Sequence, residues 1–328
     1  MRRLLALVAA AGMVAGSIAI RSRLDRGEED RSNPVRVVCA AELGAVCDSL
    51  RQTAAQVSVE PAGTTADRLG RSSAEDHGLD GWLVPAPWPQ IVDGRRRLQA
   101  LVPLFPEVSA PLARSPLVLV VRRMLAESLA PRCGGTVGWK CLGDAAGAGQ
   151  AKPGHADPAA DALGTLVVGQ ATAAFFERVD DLSTLDLDDP EFARWFRGLE
   201  RATPPLASGG SPLGEMLGTN FAVYDAVGTI EAEAAPVLAA SAVRDRVVLL
   251  YPAPMATADV VLAGTGGNAA RRLRNVAGGD TTRRALAGAG WRVEGMTRTT
   301  EPPLPSTSGL PSAGFLDTLR SRAQEVRR

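Results

Sequence analysis

Two spacings of apolar residues recur along this chain, one typical of buried strands and the other of amphipathic helices. Residues 35–38 form a short valine-rich run, and Leu43, Val46 and Leu50 then follow at three- and four-residue intervals. This stretch predicts a strand, a tight turn and a helix, with the helix N-terminus at the carboxyl end of the strand. Open α/β sheets bind their ligands at such a position.

The same succession of strand and helix patterns continues and predicts an α/β fold with parallel sheets. Further strands are predicted at residues 57–59, 80–84, 117–121, 221–224, 247–251 and 260–262. Later helices are predicted at residues 166–176, 191–199, 270–276, 281–286 and 315–326. A shorter helix is predicted to begin at Thr64 and Thr65, because hydroxyl side chains suit an N-cap. The aromatic residues of the helix at 191–199 are interpreted as core.

The N-terminus has the features of an export signal. Arg2 and Arg3 precede an uncharged, largely apolar run at residues 4–20, and Arg21 follows it. The run is near the minimum length for a membrane-spanning helix, and no clear cleavage site precedes the charges. Both a cleaved signal peptide and an uncleaved membrane anchor through residues 4–20 therefore stay open. In either case we expect an extracytoplasmic protein, anchored or secreted.

Composition and charge limit the function classes. The 328 residues include 36 basic and 36 acidic side chains, which gives no electrostatic basis for binding nucleic acid. The two histidines, His77 and His155, do not have the spacing of metal ligands, and no nucleophile elbow or Walker A loop occurs. Asp157 and Asp161 are interpreted as a turn and a helix cap. We expect a binding protein rather than an enzyme, with neither cofactor nor metal.

The four cysteines form two pairs with the same spacing. Cys39 and Cys47 are eight residues apart, and so are Cys133 and Cys141. In an oxidising compartment this arrangement indicates two local disulfides. Pairing between the two pairs, and free buried thiols, stay open, because spacing does not determine connectivity.

An ordered set of nine short motifs resembles the type 2 periplasmic binding proteins, which are the extracellular solute-binding proteins of ABC transporters. The likeness is to the molybdate-binding branch and its uncharacterised actinobacterial relatives in particular. The motifs are VRVVCAAELGAVCDSL, VEPAGTTADRL, LDGWLVPAPWPQIVD, SPLVLVV, TVGWKCLGDA, HADPAADALG, NFAVYDA, VVLLYP and ALAGAGWRV.

The resemblance implies two α/β lobes, each with a parallel-type sheet flanked by helices, joined by a two-strand hinge. Lobe 1 would comprise residues 35–115 and 246–295, and lobe 2 residues 116–245. Residues 1–34 would be the signal or anchor with its spacer. Residues 296–328 would be a proline-rich linker and a C-terminal helix.

The resemblance also implies a ligand site in the cleft between the lobes. Oxyanion binders of the family use hydroxyl groups after the first two strands, backbone N–H groups at a later helix start, and a tyrosine. The corresponding positions in this chain are Ala41, Glu42, Thr64, Thr65, Leu163, Gly164 and Tyr224.

Glu42 departs from this pattern, because a carboxylate stands where the family has a hydroxyl group. A buried carboxylate repels an oxyanion, so molybdate and sulfate are disfavoured. A cationic or amine-bearing ligand fits better, as does a site that has lost transport binding. A purely structural role for Glu42, beside a helix N-terminus, stays open.

Two function hypotheses follow. The first is a solute-binding protein that holds a small ligand in the cleft and delivers it to an ABC permease or senses it. The alternative is a membrane-anchored scaffold that keeps the fold but engages a protein partner. The altered position 42 and the proline-rich tail favour the alternative.

Overall fold

The computed structural model describes residues 34–52, 55–74, 77–206, 210–218, 222–296 and 302–327. The predicted export signal or anchor at residues 4–20 lies outside these ranges. Within the described ranges, every helix is too short or too polar to cross a membrane.

The strands of the described chain form a mixed sheet. They are β1 (Val35–Ala40), β2 (Ala55–Glu60), β3 (Gly81–Pro85), β4 (Glu107–Val108), β5 (Ala113–Arg122), β6 (Pro153–Gly154), β7 (Ala226–Ile230), β8 (Val247–Leu250) and β9 (Thr257–Gly264). Their order is β2-β1-β3-β9-β5-β7-β6, with β4 beside β9 and β8 beside β5.

Strand β5 connects two regions of this sheet. Its first residues, from Ala113 to Pro116, pair with β9, and those from Leu117 to Val121 pair with β7. We call β1, β2, β3, β4 and β9 the first sheet region, and β6, β7 and β8 the second sheet region. Every residue from Leu117 to Val121 is fully buried, as expected for a strand covered on both faces.

The helices between and after the strands are α1 (Gly44–Arg51), α2 (Ala62–Arg71), α3 (Trp88–Leu98), α4 (Arg123–Leu129), α5 (Trp139–Gly147), α6 (Ala162–Phe176), α7 (Pro190–Ala202), α8 (Pro212–Leu217), α9 (Glu231–Ala240), α10 (Gly267–Ala277), α11 (Asp280–Gly288) and α12 (Ala313–Arg327). Helix α2 packs against α3, α11 against α1, and α5 against α7.

The predicted α/β class is confirmed, and the sheet is mixed rather than purely parallel. Strands β2 and β3 run parallel to β1, whereas β9 runs antiparallel to β3 and to β5. The return strand β9 causes this difference, because it enters the sheet between β3 and β5 and runs antiparallel to both.

Two local predictions were wrong. The strand predicted at residues 221–224 lies at Ala226–Ile230 instead. Gly228 interrupts the apolar pattern of this strand. Packing explains why the position holds glycine, because a Cβ there would lie 2.5 Å from the Trp139 ring. The predicted N-cap is also displaced, because α2 begins after Pro61 and places Thr64 and Thr65 in its first turn.

Aromatic clusters form the core beside each sheet region. Trp82 packs edge-on to Trp88 and lies against Phe105 near the first region. Helix α7 carries Phe192 and Phe196, whose rings stack at 5.4 Å between centroids and are 1% exposed. The interpretation of this helix's aromatic residues as core is confirmed.

The described C-terminal residues 302–327, which we call the strap, contact elements of both sheet regions. Helix α12 packs against α3 on one side and against α6 and α7 on the other. Arg320 is 6% exposed; it donates to the Asp67 carboxylate in α2 and to the Ala159 carbonyl before α6. At the end of α12, Arg327 donates to the buried Glu200 of α7 at 2.6 Å. The strap therefore links helices that belong to the two halves of the fold.

Candidate functional site

A cavity of about 480 Å³ opens between the two sheet regions. The start of α1 and the residues after α11 form one wall, and the start of α6, helix α8, strand β7 and the start of α9 form the other. Its polar lining comprises Glu42, Asp157, Asp161, Ser211, Thr229 and Glu233. Apolar side chains, Leu43, Val46, Leu213 and Trp291 among them, cover the rest.

The N-terminus of α6 forms the centre of this site. Asp161 is its N-cap, and the Asp161 carboxylate accepts from the Gly164 N–H at 2.9 Å. The D-P-A-A-D segment before the helix thus has the predicted turn and cap, because the Asp157 carboxylate also accepts from the Ala159 N–H. Helix α6 is apolar and almost fully buried beyond this point, so its start is held rigidly.

Glu42 reaches this helix end from the opposite wall of the cavity. It lies in a 3-10 turn (Ala41–Leu43) between β1 and α1, and its Oε1 accepts from the Ala162 N–H at 2.5 Å. The Glu42 Oε2 atom is buried and has no N–H or hydroxyl donor among the described residues. Two acidic side chains therefore accept hydrogen bonds from N–H groups at the start of α6.

The two carboxyl groups at the α6 N-terminus resist ionisation. Burial raises the pKa of Glu42 above its ordinary value, although the hydrogen bond from Ala162 opposes the shift. Burial, and secondly the nearby Glu42 carboxylate, raise the pKa of Asp161 well above its ordinary value. Desolvation and like charge both favour the protonated form. Each carboxyl group therefore keeps its proton to a higher pH than an exposed carboxyl group does.

A third carboxylate extends the acidic character along the cavity. Glu233 of α9 accepts from the Ser211 hydroxyl at 2.6 Å and from the Thr229 hydroxyl. Among the described lining residues there is no lysine, arginine or histidine. Arg327 lies 4.0 Å from the Asp157 carboxylate, at the edge of the cavity. The described cavity wall therefore carries a net negative charge.

The structure brings together three of the seven residues that the resemblance placed in the site. Glu42, Leu163 and Gly164 line the cavity, and their role in binding stays a prediction. The other four, which the described cavity does not include, are Ala41, Thr64, Thr65 and Tyr224.

Local contacts explain where two of those four side chains lie. Thr65 is fully buried, and its hydroxyl donates to the Glu60 carboxylate at 2.8 Å. Tyr224 is 1% exposed; its ring covers Gly154, and its hydroxyl donates to the Pro204 carbonyl at 3.4 Å. Both side chains thus have structural roles in the described fold.

Sequence reasoning did not assign Asp161, Glu233, Ser211, Thr229 or Trp291 to the site. Asp161 was recognised only as a cap, and the other four come from segments far apart in the chain. Only the D-P-A-A-D segment gave a signal, because its second aspartate caps the same helix whose N–H groups were predicted to face the ligand.

Both cysteine pairs form the local disulfides that the spacing indicated. Cys39 bonds to Cys47, and Cys133 bonds to Cys141. The first pair is fully buried and ties the end of β1 to α1, across the turn that carries Glu42. The second pair lies between α4 and α5, away from the cavity.

We expect the double variant Cys39→Ala/Cys47→Ala to lower the free energy of unfolding by about 2.5 kcal/mol, because a nine-residue loop is no longer closed in the unfolded chain. Denaturant titration measures this change. Cys133→Ala/Cys141→Ala removes a disulfide that closes a loop of the same length and is the matched control: a similar loss of stability is expected there, with no change in ligand binding. An unchanged stability in both variants would contradict the prediction.

Comparison with known proteins supports the fold. No family model matches the sequence, and no curated protein matches it. A periplasmic thiamin-binding protein is 11% identical, with 90% of this chain and 97% of that chain covered and a TM-score of 0.58. The periplasmic binding protein AfuA from Actinobacillus pleuropneumoniae, with fructose-6-phosphate bound, is 12% identical over 90% and 96% of the two chains, with a TM-score of 0.55.

A third structure matches less of the chain. The sulfate-binding protein SubI from Mycobacterium tuberculosis H37Rv is 15% identical over 80% of this chain and 88% of that chain, with a TM-score of 0.50. At these identities the likeness establishes the fold alone. The chain has the fold of the type 2 periplasmic binding proteins. The three similar structures named above are all of binding proteins rather than enzymes.

Proposed function

We propose that this protein is an extracytoplasmic solute-binding protein that holds a small ligand in the cavity between its two sheet regions. The observation that carries the proposal is the cavity itself, whose walls come from both halves of a periplasmic-binding-protein fold. Its volume of about 480 Å³ lies within the range of small-molecule sites. The buried disulfide beside it supports an oxidising location.

The permease of an ABC transporter is the proposed partner, because the similar structures include an ABC-transporter substrate-binding protein from Agrobacterium tumefaciens. We also propose that the two lobes meet at residues 115/116 and 245/246. Export of the chain by residues 4–20 is a further part of the proposal. The similar proteins named above bind a sugar phosphate, thiamin or sulfate, so the fold does not determine the ligand. We propose that the chain shares its ancestry with the molybdate-binding branch and its actinobacterial relatives. We do not propose the same ligand, since Glu42 lies where the oxyanion would bind.

The proposal predicts that the purified domain gains stability with a specific solute. Thermal unfolding with a broad panel of amines, amino acids, sugars, vitamins and oxyanions measures this, because a ligand that binds only the folded state raises the melting temperature. At a hundredfold excess over Kd the gain is about 2.7 kcal/mol. A panel in which no solute shifts the transition, together with native mass spectra that show no bound molecule, would argue against solute binding.

A protein-binding scaffold is the second candidate function. Two observations favour it: Glu42 already occupies the Ala162 N–H, and the strap links both halves of the fold through Arg320. Such a scaffold keeps one conformation with or without solute. Small-angle scattering in the presence of a ligand found by the screen distinguishes the candidates, since a binding protein closes around its ligand and a scaffold does not change.

A further inference from the structure

The cavity contains a buried acceptor without a donor. The Glu42 Oε2 atom is buried and lacks an N–H or hydroxyl donor among the described residues, while Oε1 of the same group accepts from Ala162. Leaving a buried polar atom unpaired costs free energy, because the atom has lost its hydrogen bonds to water. A ligand that brings an N–H donor to this oxygen removes that cost.

Neighbouring groups determine the charge that such a donor would meet. Asp161 and Glu233 line the same cavity as Glu42, and no basic residue is found in the described lining. The Glu233 carboxylate accepts from two hydroxyl groups. Arg327 pairs with Glu200, and among the carboxylates of the described lining it is within 4.0 Å of Asp157 alone. Glu233 keeps its negative charge, and together with Glu42 and Asp161 it makes this part of the cavity acidic.

The shape and lining of the cavity restrict the chemical class further. The described residues include no group of three or more potential ligands placed to hold a metal ion. Apolar side chains from both walls, such as Val46, Leu213 and Trp291, line the remainder. A cation with an apolar body fits these walls better than a hydrated inorganic ion, which would lose its water against them.

We propose that the cavity takes a small organic cation, an ammonium or amidinium group on an apolar body, with the charged group held by Glu42 and Asp161. This inference rests on the proposed solute-binding function and names its ligand class. The donors of the cation satisfy Glu42 Oε2, and the positive charge offsets the repulsion between the two carboxylates. A proton held by either carboxyl group in the ligand-free protein passes to solvent when the cation binds.

The ligand class is tested with isosteric probes on the folded domain. The cations are butylammonium, benzylammonium and benzamidinium; benzyl alcohol and benzamide are their neutral counterparts, and benzoate is the anion. We expect thermal stabilisation by a cation and none by its neutral or anionic counterpart. Equal or stronger stabilisation by benzamide or benzoate would overturn the inference.

The broad screen described above separates the two levels of failure. If no organic cation binds while another solute does, the ligand class is wrong and the solute-binding function stands. If neither the cations nor any other solute binds, the proposed function fails together with the ligand class.

Conservative variants test the role of the two carboxyl groups. We expect Glu42→Gln and Asp161→Asn to weaken binding of the stabilising cation by about tenfold to a hundredfold, since each removes a charged acceptor. Glu177→Gln changes an exposed carboxylate paired with Lys140 and is the matched control, with unchanged affinity. Glutamine keeps the acceptor for the Ala162 N–H, so the empty Glu42→Gln domain should unfold at the same temperature or higher. A purely structural Glu42 would give the reverse: lower stability and unchanged affinity.

The pH dependence gives a second readout. Burial raises the pKa of Glu42 from 4.5 and that of Asp161 from 3.8, so the folded, empty protein holds more protons than the unfolded chain above those values. The contribution of these two groups to the free energy of unfolding of the ligand-free protein therefore falls as pH rises through the raised pKa values. A bound cation offsets that loss, so its affinity should increase over the same pH range. The increase should be smaller in Glu42→Gln, where Asp161 alone of the two carboxyl groups still titrates. An affinity independent of pH in the parent protein would contradict the inference.

Discussion

Replacing Leu316 by alanine is expected to lower the free energy of unfolding by about 2–5 kcal/mol. Leu316 is fully buried in α12 of the strap, where its side chain covers Gly169 of α6. The glycine leaves room for it: a Cβ at position 169 would lie 2.5 Å from Leu316 Cδ2. Truncation leaves an empty space that the buried helix α6 cannot fill. Denaturant titration measures the loss.

The contact itself is tested by a second substitution. Gly169→Ala alone should also destabilise the protein, because the new methyl group meets the leucine. In the double variant Leu316→Ala/Gly169→Ala the methyl group occupies part of the vacated space, so the loss should be smaller than the sum of the single losses. Leu185→Ala is the control, since Leu185 is 79% exposed and its truncation should change stability by less than about 0.5 kcal/mol. Additive losses would show that the strap does not dock on α6 in this way.

Replacing Gly63 by alanine is expected to cost about 3 kcal/mol, because two backbone segments then collide. The Gly63 N–H donates to the Ala160 carbonyl at 2.9 Å, which joins the start of α2 to the segment before α6. A Cβ at position 63 would lie 2.1 Å from the Ala159 carbonyl oxygen. Backbone atoms cannot rotate away as a side chain does, so the start of α2 and the start of α6 must separate.

This separation should also weaken solute binding, because the cavity lies between the same two halves of the fold. Small-angle scattering reports the expected increase in radius of gyration, and calorimetry reports the lower affinity. Gly94→Ala is the matched control, since nothing lies within 4 Å of a Cβ in that helical position of α3. Alanine there should raise stability by up to about 1 kcal/mol. If Gly63→Ala proved as stable and as compact as Gly94→Ala, the described contact between α2 and the α6 segment would be wrong.

Local patterns were sufficient for most of the elements. The valine run, the turn and the amphipathic helix of residues 35–51 are encoded by neighbours in sequence, and the structure has β1 and α1 there. The aromatic helix and the two cysteine pairs could also be predicted from the sequence, because their contacts join residues close in the chain. The strand β7 was predicted at the wrong place because Gly228 makes room for the Trp139 ring. Trp139 is distant in sequence, so the local pattern carries no information about this contact.

The site was only partly predictable. The resemblance placed Glu42, Leu163 and Gly164 in the site, and all three line the described cavity. Thr64, Thr65 and Tyr224 were placed in the site by analogy, and the described cavity does not include them. Thr65 instead donates to Glu60, and Tyr224 covers Gly154. Glu233 and Trp291 lacked any local signal, because only the approach of α9 and the segment after α11 brings them to the cavity.

The sequence by itself determined the α/β class and the acidic character of the turn after β1, and it indicated the local disulfides. These properties depend on residue type and short spacings. The tertiary structure alone decided that Glu42 meets the N-terminus of α6, that Asp161 lies beside it, and that the strap spans both halves. Those contacts join segments more than a hundred residues apart, and their geometry depends on how β5 and β9 connect the two sheet regions. The acidic residue Glu42 was visible in the chain, whereas the cavity that surrounds it exists only in the fold.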